Sequence, residues 1–416
     1  MKIPVDRHED GFAHEERFPV DGRLGVEFCS LEFDSPFILA ASPCTDELSM
    51  CCRALDMGWA GMVLKTTSVE GTVVDLAYPM MSAVEFEGRK VAGLGNIDLI
   101  SQYRVDEISS RVTELKKRYP KKIIIASIMG TKKEDWQELT RRLFGCGADM
   151  IECSFSCPQG SMGEDPGRML AQSVQATEAA AGWVKEAAGD KPVSIKITPQ
   201  VTDIGEVARA LERAGVDCIT ASNSVPSLMG IDIDTFCPIP NVNGRSTYSG
   251  LTGPAIKPIT LRTIAEIARQ VSLPISGTGG ASDWRDAVEF MSVGAGIVQF
   301  CTAVMHYGFR IIDDLKSGLC HYMRAKGFDS PSLIVGRALP NIVSHDELPR
   351  IKVRSSVARS RCIRCGLCVV ACRDGGHEAI RLSRERLAVV DEERCVGCGL
   401  CTLVCPVEGC MGMKRV

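Results

Sequence analysis

A chain of 416 residues, 45% hydrophobic and 24% charged, is ordinary for a globular protein and has room for one large and one small domain. Its net charge of −4 gives no reason to expect nucleic acid or an anionic membrane as partner. No apolar run approaches the roughly 18 residues of a membrane span, and the opening MKIPVDRHEDGFAHEERF has no apolar core, so neither an anchor nor a signal peptide is expected.

Residues 1–34 read as an N-terminal extension whose last part, 25–33, forms a hairpin that plugs the bottom of the next domain. From about residue 36 short apolar runs alternate with helical patterns. The runs are FILAAS (37–42), GMVLKT (61–66), IIIASIM (123–129), MIECSF (150–155), VSIKIT (193–198), CITASN (218–223), PISGTG (274–279) and GIVQFCT (296–302). Most lack in/out alternation, as strands buried on both faces should. Helical patterns at 134–143, 171–187, 204–214, 256–270 and 284–292 separate them. Eight such units predict an α/β fold, a TIM (β/α)8 barrel over 35–345. A doubly wound sheet is the rival, but it seldom supplies eight units and wants a glycine fingerprint after its first strand. The stretch 350–364, with Arg350, Lys352, Arg354, Arg359, Arg361 and Arg364, reads as a solvated connector rather than a docking patch.

Barrel chemistry sits at the C-terminal strand ends, here Ala41/Ser42, Lys65/Thr66, Met129/Gly130, 154–157, Lys196/Thr198, Asn223/Ser224, Gly279/Gly280 and Cys301/Thr302. Lys65 and Lys196 end otherwise apolar strands, and an unpaired buried ammonium is costly, so both call for an anionic partner. The run GTGG (277–280) and the helix opening at Cys301-Thr302 match the phosphate site many barrels build there. A phosphorylated cofactor is therefore expected. No G-x-G-x-x-G opens a βαβ unit, and GLGNID (93–98) lacks the third glycine, so no nicotinamide- or FAD-binding domain is expected.

The C-terminal region, 346–416, holds one cysteine pattern written twice. Cys362, Cys365, Cys368 and Cys372 follow C-x2-C-x2-C-x3-C, and Cys395, Cys398, Cys401 and Cys405 repeat it 33 positions later. Thiolates at this spacing close around cubane iron–sulfur clusters, three ligands from one run and the fourth from the other. The predicted sets are Cys362, Cys365, Cys368 with Cys405, and Cys395, Cys398, Cys401 with Cys372. Zinc knuckles or a disulfide cage are the alternatives, but zinc sites usually show two C-x2-C pairs with a longer spacer. A small ferredoxin-like α+β domain with two 4Fe-4S clusters follows. Eight of the 20 cysteines are thereby used, and the other twelve are scattered, several in apolar runs; a reducing cytosol suits them as small buried hydrophobes. Such clusters pass single electrons, so an organic cofactor working with them must accept electrons singly and in pairs, as flavin does.

The segments SPFILAASPCT (35–45), GWAGMVLKTTS (58–68), GNIDLI (95–100), SFSCPQG (154–160), KITPQVTDI (196–204), TASNSVPSLMG (220–230), SGLTGPAIKPI (249–259) and SGTGGASDW (276–284) run in the order found in dihydropyrimidine dehydrogenases. The chain resembles the bacterial FMN and iron–sulfur subunit of that family, whose barrel is shared with class 1 dihydroorotate dehydrogenases. The resemblance implies reduction of a pyrimidine C5=C6 bond, with hydride from reduced FMN and Cys157 as general acid. It implies that Asn96, Asn223 and Ser224 hydrogen-bond the substrate, alongside the loop residues Ser154, Phe155 and Ser156. Ser224 stands where the animal enzymes carry threonine. FMN would be held by Ala41, Ser42, Lys65, Thr66, Lys196, Gly253, Gly279, Gly280, Cys301 and Thr302. Electrons would come from NADH through a separate FAD-bearing reductase subunit, in a hetero-oligomer built on a barrel dimer.

One departure stands out. The family reads N-x-S-C before the acid, whereas this chain has Ser154-Phe155-Ser156-Cys157, which removes a bidentate reader of the substrate edge. A reductase of another cyclic amide or conjugated carbonyl compound is the alternative. A dihydroorotate dehydrogenase-like enzyme ranks lower, as does an electron carrier without catalysis.

Overall fold

Strands that carry β-branched and aliphatic residues on both faces must be covered on both faces, and this chain meets that demand by closing its sheet on itself. The computed structural model describes residues 22–69, 74–86, 88–155, 170 and 173–416. The chain divides between Asn341 and Ile342 into two compact units, four residues before the boundary expected from sequence.

In chain order the first unit begins with β1 (Val26–Phe28), β2 (Leu31–Phe33), β3 (Phe37–Leu39), α1 (Leu48–Asp56) and β4 (Gly61–Val63). It continues with β5 (Met81–Phe86), β6 (Arg89–Asn96), α2 (Val105–Arg118), β7 (Ile123–Ile128), α3 (Lys133–Gly145) and β8 (Met150–Ser154). Then come α4 (Val174–Ala188), β9 (Val193–Lys196), α5 (Ile204–Arg213), β10 (Cys218–Ala221), β11 (Val225–Ser227) and β12 (Ser249–Thr252). It ends with α6 (Lys257–Gln270), β13 (Ile275–Thr278), α7 (Trp284–Ser292), β14 (Ala295–Phe300), α8 (Thr302–Tyr307) and α9 (Ile311–Lys326).

Eight strands form a closed parallel barrel in the order β10-β13-β14-β3-β4-β7-β8-β9, one strand for each apolar run of the sequence. Helix starts follow local chemistry. Asp203 and Asp283 each accept two backbone N–H groups at the first turn of α5 and α7. Helix α4 begins at Val174, later than its helical pattern suggests, because the Ser173 hydroxyl caps the Ala176 N–H. The hairpin β1–β2 pairs antiparallel, and Phe28 and Phe33 meet edge to face at 6.4 Å. Both rings pack with Ile38, Val63, Ile125, Met150 and Ile297, so the hairpin closes the barrel floor.

A four-stranded antiparallel sheet, β11-β12-β6-β5, stands apart from the barrel and had no counterpart in the sequence reading. Strand β5 is half-exposed, while β11 and β12 are three and four residues long and hold Pro226 and Gly250. None of them presents an apolar run.

The second unit contains β15 (Val353–Val357), α10 (Leu367–Asp374), β16 (Ile380–Leu382), β17 (Ala388–Val390), α11 (Leu400–Leu403) and β18 (Met411–Arg415). The stretch expected to be a solvated connector is partly strand. β15 pairs antiparallel with β18, from Val353↔Arg415 to Val357↔Met411, with Ser355 buried at its centre. Its charged residues masked a strand whose inward position is a serine.

Candidate active site and cluster cavities

Lys65 follows β4 and Lys196 ends β9, and both are buried as their strand positions require. Each has a carboxylate partner that sequence reading overlooked. The Lys65 Nζ lies 3.0 Å from Asp98 Oδ1, both groups nearly buried. The Lys196 Nζ lies 3.9 Å from Oε1 of Glu152, a fully buried residue of β8. The other Glu152 oxygen accepts from Thr220 Oγ1 at 2.8 Å and Gln299 Nε2 at 2.9 Å, and Gln299 also donates to Ser276 at 3.0 Å. Four strands thus hold one carboxylate inside the barrel. The signal was present: a glutamate in a run as apolar as MIECSF is as unexpected as the lysines.

The strand ends meet at Cys301. Burial pushes its thiol pKa up, while the Lys196 charge and hydrogen bonds with Ser42 and Thr302 push it down. The Ser42 hydroxyl also accepts from the Cys44 N–H at 3.2 Å, and Thr302 bonds Thr252 at 3.0 Å. Beyond β13, Gly279 and Gly280 adopt φ of 109° and 102°, a region costly for other residues. A Cβ on Gly280 would stand 2.6 Å from the Lys257 backbone nitrogen. Gly253 also has positive φ, 79°, before α6, Ala41 is half-buried, and Thr66 bonds Ser127 at 2.8 Å.

These residues fit a phosphorylated, electron-accepting cofactor. Lys196 is buried and donates no hydrogen bond within hydrogen-bonding distance among the described residues, and Glu152 Oε1 accepts none, so the pair leaves the ammonium with capacity for an acceptor. The glycine turn keeps backbone amides free of side chains, as close approach of a ligand requires.

The expected substrate readers converge on one glycine. Asn96 ends β6 and donates to the Gly250 carbonyl at 3.0 Å across the β6–β12 pairing. A Cβ on Gly250 would overlap the Ser224 hydroxyl and stand 3.5 Å from the Asn96 amide nitrogen. The Asn223 side-chain oxygen accepts the Ser224 N–H at 2.9 Å. Ser154 is buried at the end of β8, level with Lys196 in the neighbouring strand. Phe155 is buried against Trp136, ring centroids 5.1 Å apart, so its part is packing beneath the site. Ser156 and Cys157 lie outside the described residues.

In the second unit the eight motif cysteines divide between two cavities as the crossed scheme requires. One is lined by Cys372, Cys395, Cys398 and Cys401, the other by Cys362, Cys365, Cys368 and Cys405. Each cavity has four cysteines in its lining, the number of thiolates that one cubane takes. That arrangement fits cubanes. Outside the motif, Cys410 also lines the second cavity, its thiol pushed up to about 11 mainly by burial. The described cysteines are all free thiols.

A flavin-barrel oxidoreductase joined to a two-cluster iron–sulfur domain is the class these features define. The chain belongs to the dihydroorotate dehydrogenase family, whose model matches residues 23–323, and a 4Fe-4S dicluster domain matches 355–413. It is 40% identical to the NAD-dependent dihydropyrimidine dehydrogenase subunit PreA of Escherichia coli (strain K12), over 87% of this chain and 88% of that protein. It is 32% identical to the chloroplastic dihydropyrimidine dehydrogenase (NADP(+)) of Arabidopsis thaliana, over 78% and 79%. The catalytic subunit of dihydroorotate dehydrogenase B (NAD(+)) from Thermococcus kodakarensis is 31% identical over 76% and 98%. The chain is accordingly an oxidoreductase of the dihydropyrimidine dehydrogenase type, with FMN and two 4Fe-4S clusters as its cofactors. Among the described residues no helix is long and apolar enough to cross a membrane.

Proposed function

We propose that this chain is the catalytic subunit that reduces the C5=C6 bond of uracil or thymine to the 5,6-dihydro base. When bound, FMN supplies the hydride for C6 and exchanges electrons singly with the clusters. Cys157 protonates C5; a thiol of ordinary pKa, roughly 8–9, still holds its proton at neutral pH. Asn96, Asn223 and Ser224 orient the ring through its amide edges, since each asparagine offers a donor and an acceptor together. Lys65 and Lys196 hold positive charge beside the flavin, and the Gly279–Gly280 turn receives its phosphate. The cysteine sets described above ligate the clusters. Electrons enter from NADH through an FAD-bearing partner subunit.

The observation that carries this reading is that Asn96, two residues before the Asp98 that pairs with buried Lys65, meets Ser224 at Gly250. The test is uracil reduction by the chain together with its reductase partner, before and after Cys157→Ala. A loss of about 10²–10⁴-fold with flavin retained is expected. Unchanged turnover would remove the acid role, and substantial NADH oxidation by the chain alone would remove the partner.

Ser154 supports a second reading, a shifted substrate among cyclic amides. A clear gain in uracil turnover with Ser154→Asn favours it; a loss favours uracil as native.

A further inference from the structure

The two cluster cavities are related by the 33-residue repeat, and that relation reaches beyond the cysteines. Ser355 lines the cavity of Cys372, Cys395, Cys398 and Cys401. Its counterpart 33 positions on, Ala388, lines the other. The backbone contacts repeat as well: the Ser355 N–H donates to Cys395 Sγ at 3.4 Å, and Ala388 makes a backbone hydrogen bond to Cys362, which lies 33 positions before Cys395. The side chains do not repeat. Ser355 Oγ lies 3.1 Å from Cys401 Sγ, and the residue is only 3% exposed. Alanine at 388 has nothing equivalent to offer Cys368, the counterpart of Cys401.

Between a hydroxyl and a free thiol either group can donate. Once Cys401 is bound to iron its sulfur carries no proton, so Ser355 must be the donor. A one-electron reduction adds negative charge that spreads to the ligand sulfurs, and a fixed O–H dipole stabilises the more negative state. The dipole is buried with its acceptor, where low dielectric strengthens such a bond.

We propose that Ser355 is a positioning residue that makes the two clusters inequivalent, raising the reduction potential of the one held by Cys372, Cys395, Cys398 and Cys401. This rests on the ligand sets of the proposed function. The place of a single hydroxyl in an otherwise repeated frame is the device: the repeat supplies two equal sites, and the serine separates them.

The test is an anaerobic dithionite titration of the full chain, followed by electron paramagnetic resonance, on wild type, Ser355→Ala, Ser355→Thr and Ala388→Ser. Ser355→Ala is expected to shift one of two reduction equilibria about tenfold toward the oxidised form, about 59 mV for a one-electron couple, leaving the other in place. Ser355→Thr restores the wild-type value, and Ala388→Ser raises the second potential. Unchanged potentials in Ser355→Ala at full iron content overturn the proposal. If Ser355→Ala loses iron, Ala388→Ser decides alone, and no rise there overturns it. Wild-type protein carrying zinc, or iron for only one cubane, would instead sink the ligand sets.

Discussion

The barrel gathers its chemistry from distant parts of the chain, whereas the cluster unit writes its chemistry in two short runs. Ser42, Lys196 and Cys301 come from three strand ends and meet only because the sheet closes. Cys362 to Cys405 span a short segment in which spacing alone nearly determines ligation. A site built by closure depends on the whole core; a site built by spacing depends on each ligand. Substitutions should therefore fail differently in the two units.

The largest effect belongs to the cluster unit. Cys372→Ser removes the cysteine that α10 lends to the cavity of Cys395, Cys398 and Cys401, the fourth ligand in the proposed set. About half the iron is expected to be lost, with turnover from the electron-donating partner abolished and FMN kept by the barrel. Iron and flavin analysis on the same preparation checks this. Loss of flavin in step with iron would show that the units do not fail separately.

Next comes the barrel interior. Glu152→Ala strips the counter-charge from Lys196 and leaves Thr220 and Gln299 without their acceptor. Breaking a buried pair by removing one partner costs about 3–5 kcal/mol. Urea denaturation followed by barrel fluorescence should show a loss in that range while the cluster spectrum of the folded protein stays unchanged. A cost under about 1 kcal/mol would mean that the carboxylate is dispensable to packing. Gly280→Ala is smaller, about 1–3 kcal/mol, because it combines a strained φ of 102° with a Cβ 2.6 Å from the Lys257 backbone nitrogen. Weakened FMN retention should accompany it, measured by flavin release on dilution.

The same contrast governs what the sequence disclosed. The cysteine pattern predicted both cavities, including the exchange of Cys372 and Cys405, because ligand spacing is a local property. All eight barrel strands were visible as apolar runs, since burial on both faces leaves a local trace. The sheet β11-β12-β6-β5 left none: its strands are short or half-exposed, and Asn96 and Ser224 become neighbours only through its pairing. Asp98 and Glu152 were missed for another reason. The lysines were matched to an external anion, when the fold brings carboxylates of the same chain to them.

The smallest expected effect tests where the barrel site ends. His306 lies on α8, one turn past Thr302, with its ring against Tyr307 at 5.9 Å. Burial holds its imidazole pKa below the ordinary histidine value. The neutral form is thus favoured by folding, and the linked penalty is absent above the ordinary pKa, grows as pH falls through it, and levels off below the lowered folded value. His306→Gln should flatten this acid-side slope in urea midpoints between roughly pH 5 and 7 and leave stability above it within about 0.5 kcal/mol. Because Cys157 is the proton donor in the proposed reaction, the pH profile of uracil reduction should be the same in both proteins. A profile whose acid limb moves in the variant would make His306 part of the proton inventory, and the barrel site would then extend from the strand ends into the first helix beyond them.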